Sequence, residues 1–351
     1  MPPSVRRRTG LLLVAGQVAV ITATLGAQPR VSPGSYAGWY VSRLNASPLH
    51  DESDTPPPRW LPHNFNAAAR SYYHARAAML PAQRAAWDAQ ATAIVEFLRQ
   101  APVLSRKFGH DFEPSSSTGI VRQEHFGPGG MRTAMFSGGV TIGAFRKSDV
   151  VALADGSLKT GRGAHAPHFS LTFNEIPAPA AEAWTRDSAG LFFLDKPEGF
   201  IDGMPMYGGA LLLTRNNRSP FVPVSVERAL KAFVASYVGS DTSKASARAL
   251  LASLGPEARK APAWVCDDQS RISSEPCLRP ANSRNAVPLK AIDPNFFDKS
   301  LPRHVLQIIS VDNLSKVAKG SETEERNSAF AINLAIFQQT DWKSLRDRFV
   351  K

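Results

Sequence analysis

The clearest pattern of apolar and polar positions lies in the middle of the chain, over residues 208–237. Residues 210–214 are a short apolar run next to glycine, which is typical of a buried strand. Asn216 and Asn217 tolerate a positive φ, which a tight hairpin turn requires. The pattern therefore predicts a hairpin, with a returning strand over residues 221–224 that Pro220 and Pro223 place at a sheet edge.

A helix is predicted directly after this hairpin. Ser225 is a good N-cap, and Glu227 falls in the first turn, where the helix dipole favours a carboxylate. The following apolar positions have the i, i+3, i+4, i+7 spacing of one helical stripe: Leu230, Phe233, Val234 and Tyr237. This stripe should pack on the sheet that the hairpin forms.

Residues 64–101 have a helical pattern in two pieces. Pro81 suits the first position of the second helix. The apolar face of that helix is Trp87, Ala91, Ile94, Val95 and Leu98. A loop is predicted over residues 103–118.

Short strands are predicted from residue 118 to residue 224. The clearest covers residues 168–174, where apolar and polar residues alternate as in an antiparallel sheet with one buried face. A helical region follows to residue 254, a proline-rich excursion covers residues 256–302, and a strand and helices close the chain over residues 303–351. Within that last part, residues 329–337 fit either a helix or a strand. The fold class predicted is α+β, with a mostly antiparallel sheet packed by helices.

The N-terminus has the pattern of an export signal. Three arginines at residues 6–8 precede an apolar run and then small residues, so residues 1–27 are predicted to be a signal peptide. An uncleaved membrane anchor is the alternative. Residues 28–62 are predicted to be a proline-rich arm and residues 63–351 a single body. We expect a periplasmic or extracellular protein with no transmembrane segment after signal cleavage.

The two cysteines and the net charge fit an exported protein. Cys266 and Cys277 predict one disulfide, because an even, closely spaced pair in an oxidising compartment is expected to be joined. The chain has 41 basic and 30 acidic residues, a net charge of +11, and loss of the three signal arginines leaves +8. Such a charge favours anionic partners. Nucleic acid is not expected, because no basic residues alternate with aromatic residues that stack bases.

Two stretches carry a family resemblance: TRNNRSPFVPVSVERAL at residues 214–230 and DPNFFDKSLPRHVLQIISV at residues 293–311. They resemble segments that recur in a family of uncharacterised secreted bacterial proteins. The likeness extends over residues 199–311, less than a third of the chain. It implies export and a compact body, and the family has no assigned activity to carry over.

Four histidines predict a candidate metal site: His110, His125, His165 and His168. Three acidic residues lie near them in the sequence: Asp111, Glu113 and Glu124. A zinc site needs three or four such ligands at about 2 Å from the metal. The sequence has no H-E-x-x-H motif, and the alternative interpretation is surface histidines in loops.

A second candidate site is the group of arginines around the predicted hairpin: Arg215, Arg218 and Arg228. Paired N–H donors of arginine can hold a carboxylate or a phosphate. In the alternative, the arginines are solvated or pair with Glu227. The sequence contains no G-x-S-x-G or P-loop motif, and Ser137 has glycines on one side only.

These patterns favour a non-catalytic envelope or secreted protein that binds an anionic ligand or an envelope component, without a cofactor. The alternative is a periplasmic hydrolase, metal-assisted through the clustered histidines.

Overall fold

The computed structural model describes residues 49, 51–52, 54–65, 79–119, 122–123, 131–132, 135–160, 168–177, 183–207, 209–237, 239–267, 277–312 and 329–351. The predicted signal peptide, most of the predicted arm and most of the first predicted helix lie outside these residues.

The described chain forms an α+β fold with mostly antiparallel sheets, as predicted. The strands are β1 (His110–Gly119), β2 (Arg122–Gln123), β3 (Met131–Arg132), β4 (Ser137–Arg146), β5 (Val150–Ala152), β6 (Leu158–Thr160), β7 (His168–Phe173), β8 (Ala183–Asp187), β9 (Gly190–Leu194), β10 (Gly199–Ile201), β11 (Met204–Tyr207), β12 (Ala210–Thr214), β13 (Phe221–Pro223), β14 (Trp264–Cys266), β15 (Ala286–Ile292) and β16 (Ile308–Asp312). The helices are α1 (Pro81–Leu98), α2 (Val226–Ala235), α3 (Asp241–Ser253), α4 (Pro256–Lys260), α5 (Ala329–Gln339) and α6 (Trp342–Phe349).

The large sheet has seven antiparallel strands in the order β1–β4–β7–β16–β12–β11–β10. Its front face is buried under α1, α5 and α6. The predicted apolar face of α1 is fully buried there, and Trp87 meets Phe173 of β7 edge-on. The alternation in β7 places Phe169, Leu171 and Phe173 in this core, as predicted.

The second sheet has the order β13–β15–β9–β8, and β14 joins it by pairing with β15. Its inner face packs on the back of the large sheet, where Phe193 meets Leu212 and Ile308. Its outer face is covered by α2 through Leu230 and Phe233, which are buried as predicted. The layers over this half of the protein are therefore helix, sheet, sheet and helix.

The predicted hairpin over residues 210–224 is wrong. β12 lies between β11 and β16, so both of its edges are already paired. β13 pairs with β15 and forms an edge of the second sheet instead. Asn216 and Asn217 do have positive φ, 53° and 55°. Their turn, closed by the hydroxyl of Thr214 donating to the carbonyl of Arg218 at 2.7 Å, leads the chain from one sheet to the other.

Helix α2 begins as predicted but ends early. The hydroxyl of Ser225 accepts the backbone N–H of Arg228 and caps the first turn. Tyr237, however, is 92 % exposed, because the helix ends at Ala235 before the stripe reaches it.

Two stretches predicted to be loops form strands. β1 lies largely within the predicted loop at residues 103–118, and β15 lies within the predicted excursion at residues 256–302. Each contains a proline, Pro114 or Pro288, which argues locally against a strand. The ambiguous residues 329–337 are helical in α5. That helix is apolar on nearly every side because it is enclosed by the core, so its sequence fits both periods.

Cys266, at the end of β14, forms the predicted disulfide with Cys277, and their Cα atoms lie 5.6 Å apart. Among the helices of the described residues, none has the length and apolarity needed to cross a membrane.

Candidate functional site

The back face of the large sheet has two different halves. Across β16, β12 and β11 it is mainly apolar, and Ile308, Leu212 and Tyr207 are buried against the second sheet. Ser310 and Thr214 are polar residues on this half, and both are buried. Across β1, β4 and β7 it carries hydroxyl, carboxyl and imidazole side chains. We call this half the polar face, defined by Glu113, Ser115, Ser117, Thr141, His168, Ser170 and Thr172, with Gly139 and Gly143 between them. Its side chains are half-buried, except for the exposed His168.

The strand register aligns the polar face in rows. Ser115 lies opposite Thr141, and Thr141 lies opposite Ser170. The hydroxyls of Ser115 and Thr141 are hydrogen-bonded to each other, so both point to the back. Neighbouring strands are about 4.8 Å apart, and residues two apart on a strand are separated by roughly 6.8 Å. The polar face is therefore a grid of hydrogen-bonding groups.

A side chain at either glycine of the polar face would meet an obstacle, and the obstacle differs between the two positions. A Cβ atom at Gly139 would collide with the backbone carbonyl of Leu171. A Cβ atom at Gly143 would meet only side chains, 2.7 Å from Cε2 of Phe145 and 2.9 Å from Nδ1 of His168. The rings of Phe145 and His168 therefore occupy the space that a side chain at position 143 would fill.

Glu113 and His168 flank Gly143 in one row. Each is the cross-strand partner of Gly143, Glu113 from β1 and His168 from β7. Two strand spacings put their Cα atoms roughly 9–10 Å apart. The imidazole leans over the glycine, whereas the carboxyl is hydrogen-bonded to Asn64 at the outer edge of β1.

Burial shifts the pKa values of these two groups in opposite directions. Desolvation raises the pKa of the Glu113 carboxyl, and a hydrogen bond from the side chain of Asn64 opposes that shift. Desolvation lowers the pKa of the His168 imidazole, which packs against Phe145 with 6.4 Å between ring centroids. Both shifts favour the neutral form, in which each group can donate and accept a hydrogen bond.

Residues 60–64 run along the outer edge of β1 and supply Asn64 to the site. Trp60 forms a parallel bridge with Phe112, and Asn64 forms one with Ser115. The predicted boundary between arm and body, at residue 62, falls inside this paired segment. The outer edge of β1 is thus occupied by the protein's own backbone over this length.

A buried carboxylate anchors this edge segment. Asp111 is fully buried and accepts three hydrogen bonds from Arg59, from the backbone N–H at 2.8 Å, Nε at 3.1 Å and Nη2 at 2.6 Å. Lys147 Nζ donates a fourth at 3.3 Å. Although burial favours the protonated acid, these donors hold the pKa of Asp111 below its usual range. Arg59 directly precedes the paired segment, so the ion pair fixes the position of Asn64.

The structure separates the two described histidines of the predicted metal site, His110 and His168. His110 is buried on the front side of β1, and its Nδ1 lies 2.9 Å from the carbonyl of Phe108. His168 is on the back face, two strands away, so the two imidazoles cannot share one metal ion. His125 and His165 lie outside the described residues. Within the described ranges, no group of three or more histidine, cysteine, aspartate or glutamate side chains could hold a metal.

Two of the three predicted anion-binding arginines are paired with carboxylates. Arg228 donates to Asp187 from Nε at 2.7 Å and from Nη2 at 3.1 Å. Arg218 Nη2 donates to Asp293 at 3.3 Å, and Arg215 is exposed. The pairing that the sequence suggested with Glu227 is made by Lys231 instead, at 2.7 Å. Because Arg218 and Arg228 are paired with carboxylates, an anion-binding site at the three arginines has less support from the structure than from the sequence.

Sequence reasoning missed the hydroxyl grid. A weak signal is present, because Phe112 and Pro114 alternate with Glu113, Ser115 and Ser117 in the period of a strand. The alternation has one large apolar residue, which is too little to distinguish a strand from a polar loop.

Comparison of the chain with models of known protein families, with curated proteins and with solved structures found no match. The resemblance to secreted bacterial proteins stays a prediction.

Proposed function

We propose that the protein is an exported, non-catalytic binding protein and that the polar face holds its ligand. The supporting observation is the contrast within one sheet face. The covered half is mainly apolar and buries Ser310 and Thr214, whereas the half across β1, β4 and β7 presents half-buried hydroxyls, a carboxyl and an imidazole. A half-buried set of such groups offers paired donors and acceptors to a polar ligand.

An envelope component fits this face better than an anionic ligand does. Glu113 would repel an anion once ionised, and Arg218 and Arg228 already pair with carboxylates. The Cys266–Cys277 disulfide supports export, because such bonds persist in oxidising compartments.

The test is co-sedimentation of the purified chain with isolated cell-envelope fragments. The variant Ser115→Ala/Thr141→Val removes a hydrogen-bonded hydroxyl pair together, so neither partner is left unsatisfied. We expect retention to weaken about tenfold or more, because roughly 1 kcal/mol is lost per hydrogen bond to the ligand.

The matched control is Thr185→Val/Ser188→Ala, which makes the same two changes on and beside β8 of the second sheet. The control should be retained like the wild type. Equal retention of all three proteins would contradict the proposal.

Hydrolysis is a second candidate function, favoured by the carboxyl and imidazole on either side of Gly143. Carboxyl and imidazole side chains are the commonest general acids and bases in hydrolysis. If the protein is a hydrolase, it should release soluble fragments from the envelope material, and Glu113→Gln should abolish release while retention changes little. No release by the wild type would reject this candidate. A metal-assisted form would need further ligands such as His125 or His165, and elemental analysis for zinc tests it.

A further inference from the structure

We infer that the ligand of the polar face is a neutral saccharide chain, held through its hydroxyl groups across β1, β4 and β7. This inference rests on the proposed function and specifies its ligand class. It follows from three properties of the face: its hydrogen-bonding groups, its charge and the occupied edge beside it.

The hydrogen-bonding groups of the face match those of a saccharide. Each serine or threonine hydroxyl donates one hydrogen bond and accepts others, as a sugar hydroxyl does. Ser115, Thr141 and Ser170 place such groups on three adjacent strands in one row. Glu113 and His168 add a carboxyl and an imidazole in the neighbouring row.

The charge of the face argues against phosphate or carboxylate ligands. Among the described residues, its three rows hold no lysine or arginine. Two basic groups contact β1 beside these rows, Arg59 and Lys147, and both are bound to Asp111. Within the described part of the chain, an anion would therefore meet Glu113 without a compensating cation in these rows, whereas a neutral saccharide carries no such penalty.

The occupied edge argues against an extended peptide. Peptides that add to a sheet pair with an exposed edge strand. Residues 60–64 already pair with the outer edge of β1. A peptide lying across the face itself would leave much of its own backbone unpaired.

To test this, the purified chain is titrated with chitotetraose, cellotetraose and maltotetraose. Binding is measured by calorimetry and by changes in the amide chemical shifts. Inorganic phosphate and tetraserine serve as ligands of the two other classes. We expect at least one saccharide to bind and to shift the amides of Ser115, Thr141 and Ser170. Thr141→Val should weaken that binding about tenfold, and Thr185→Val should leave it unchanged. Ser170→Ala, on the neighbouring strand of the same row, gives a second variant should Thr141→Val fold poorly.

Three results would overturn the inference, and they separate it from the proposed function. If no saccharide binds while envelope retention still depends on Ser115 and Thr141, the ligand class is wrong and the proposed function stands. Thr141-dependent binding of phosphate or tetraserine alone would also reject the saccharide. If a saccharide binds but neither Thr141→Val nor Ser170→Ala weakens it, the site is wrong, and the proposed role of the polar face fails with it.

Discussion

The two halves of the back face belong to one sheet, yet different forces act on them. Across β16, β12 and β11, Leu212 and Ile308 are buried against Phe193 of the second sheet. Across β1, β4 and β7, the same face presents Thr141 and its neighbours to a partly solvated surface. Both halves share antiparallel pairing and a buried front core. Strand formation here therefore does not require an apolar back face, which leaves the polar half available for binding.

Substitutions in the two halves should therefore change the free energy of unfolding by different amounts. Burial of a leucine side chain contributes about 1.5–3 kcal/mol to folding, and loss of a buried one adds the cost of a cavity. A half-solvated hydroxyl exchanges protein partners for water, and its hydrogen bond contributes a net 0.5–1.5 kcal/mol or so. Stability should depend on the covered half and ligand binding on the polar half.

The largest expected effect is in the covered half. Leu212→Ala should lower the free energy of unfolding by about 2–5 kcal/mol, because Leu212 is fully buried between the two sheets. Chemical denaturation measures this loss. A loss below about 1 kcal/mol would show that the second sheet does not pack tightly here and would remove the contrast between the halves.

The second largest effect on stability is expected at Asp111, which anchors the edge segment. Asp111→Asn removes a fully buried carboxylate that accepts four hydrogen bonds, and we expect a loss of about 2 kcal/mol. The value lies below that of a fully buried ion pair, because Arg59 is 42 % exposed and can be solvated again. Denaturation of both proteins at pH 7 measures the loss, and equal stability would show that the ion pair is not an anchor.

The ion pair between Asp111 and Arg59 also predicts that the stability of the protein depends on pH. The folded pKa of Asp111 is below its unfolded value, so its contribution is fully present above about pH 4. It is lost as pH falls through the folded pKa. The difference in unfolding free energy between wild type and Asp111→Asn should therefore shrink on acidification, and a growing difference would contradict the assignment.

A smaller effect is expected at the glycine beneath His168. Gly143→Ala should cost about 1 kcal/mol, because the atoms in the way belong to side chains that can move. The imidazole should be pushed towards solvent, so the pKa of His168 should rise towards its ordinary value, which an NMR titration measures. Gly139→Ala is the contrast, since it meets a backbone carbonyl and should destabilise more. If the pKa of His168 and the NMR signals of Phe145 are both unchanged, the placement of the two rings over Gly143 is refuted.

The smallest effect on stability should come from the polar face itself. Thr141→Val keeps the shape and strand preference of the side chain and should change the free energy of unfolding by less than about 1 kcal/mol. Thermal unfolding alongside Thr185→Val checks this. A loss as large as that of Leu212→Ala would make Thr141 a structural residue.

Features set by neighbouring residues in the chain could be predicted from the sequence. The buried side of α1, the alternation in β7 and the cap at Ser225 each depend on local spacing. The disulfide followed from the two cysteines and the predicted compartment. The partner strand of β12 could not be predicted from local spacing. The double asparagine predicts a bend, but the pairing of β12 with β16 brings in residues almost a hundred positions later.

The candidate site was less predictable than the fold. His168 and Glu113 were visible as titratable residues, but their relation through Gly143 exists only once the register of three strands is known. His110 was grouped with His168 because they are near in sequence, and the sheet separates them onto opposite faces. The hydroxyls of β1 looked like loop residues, because a polar edge strand carries little apolar signal.

Amide hydrogen exchange with and without isolated envelope fragments tests the central claim most directly, because it maps the ligand site without any substitution. We expect added protection in β1, β4 and β7, with no change over residues 215–228. Protection confined to residues 215–228 or to the second sheet, with none in β1, β4 and β7, would contradict the claim that the polar face is the ligand site.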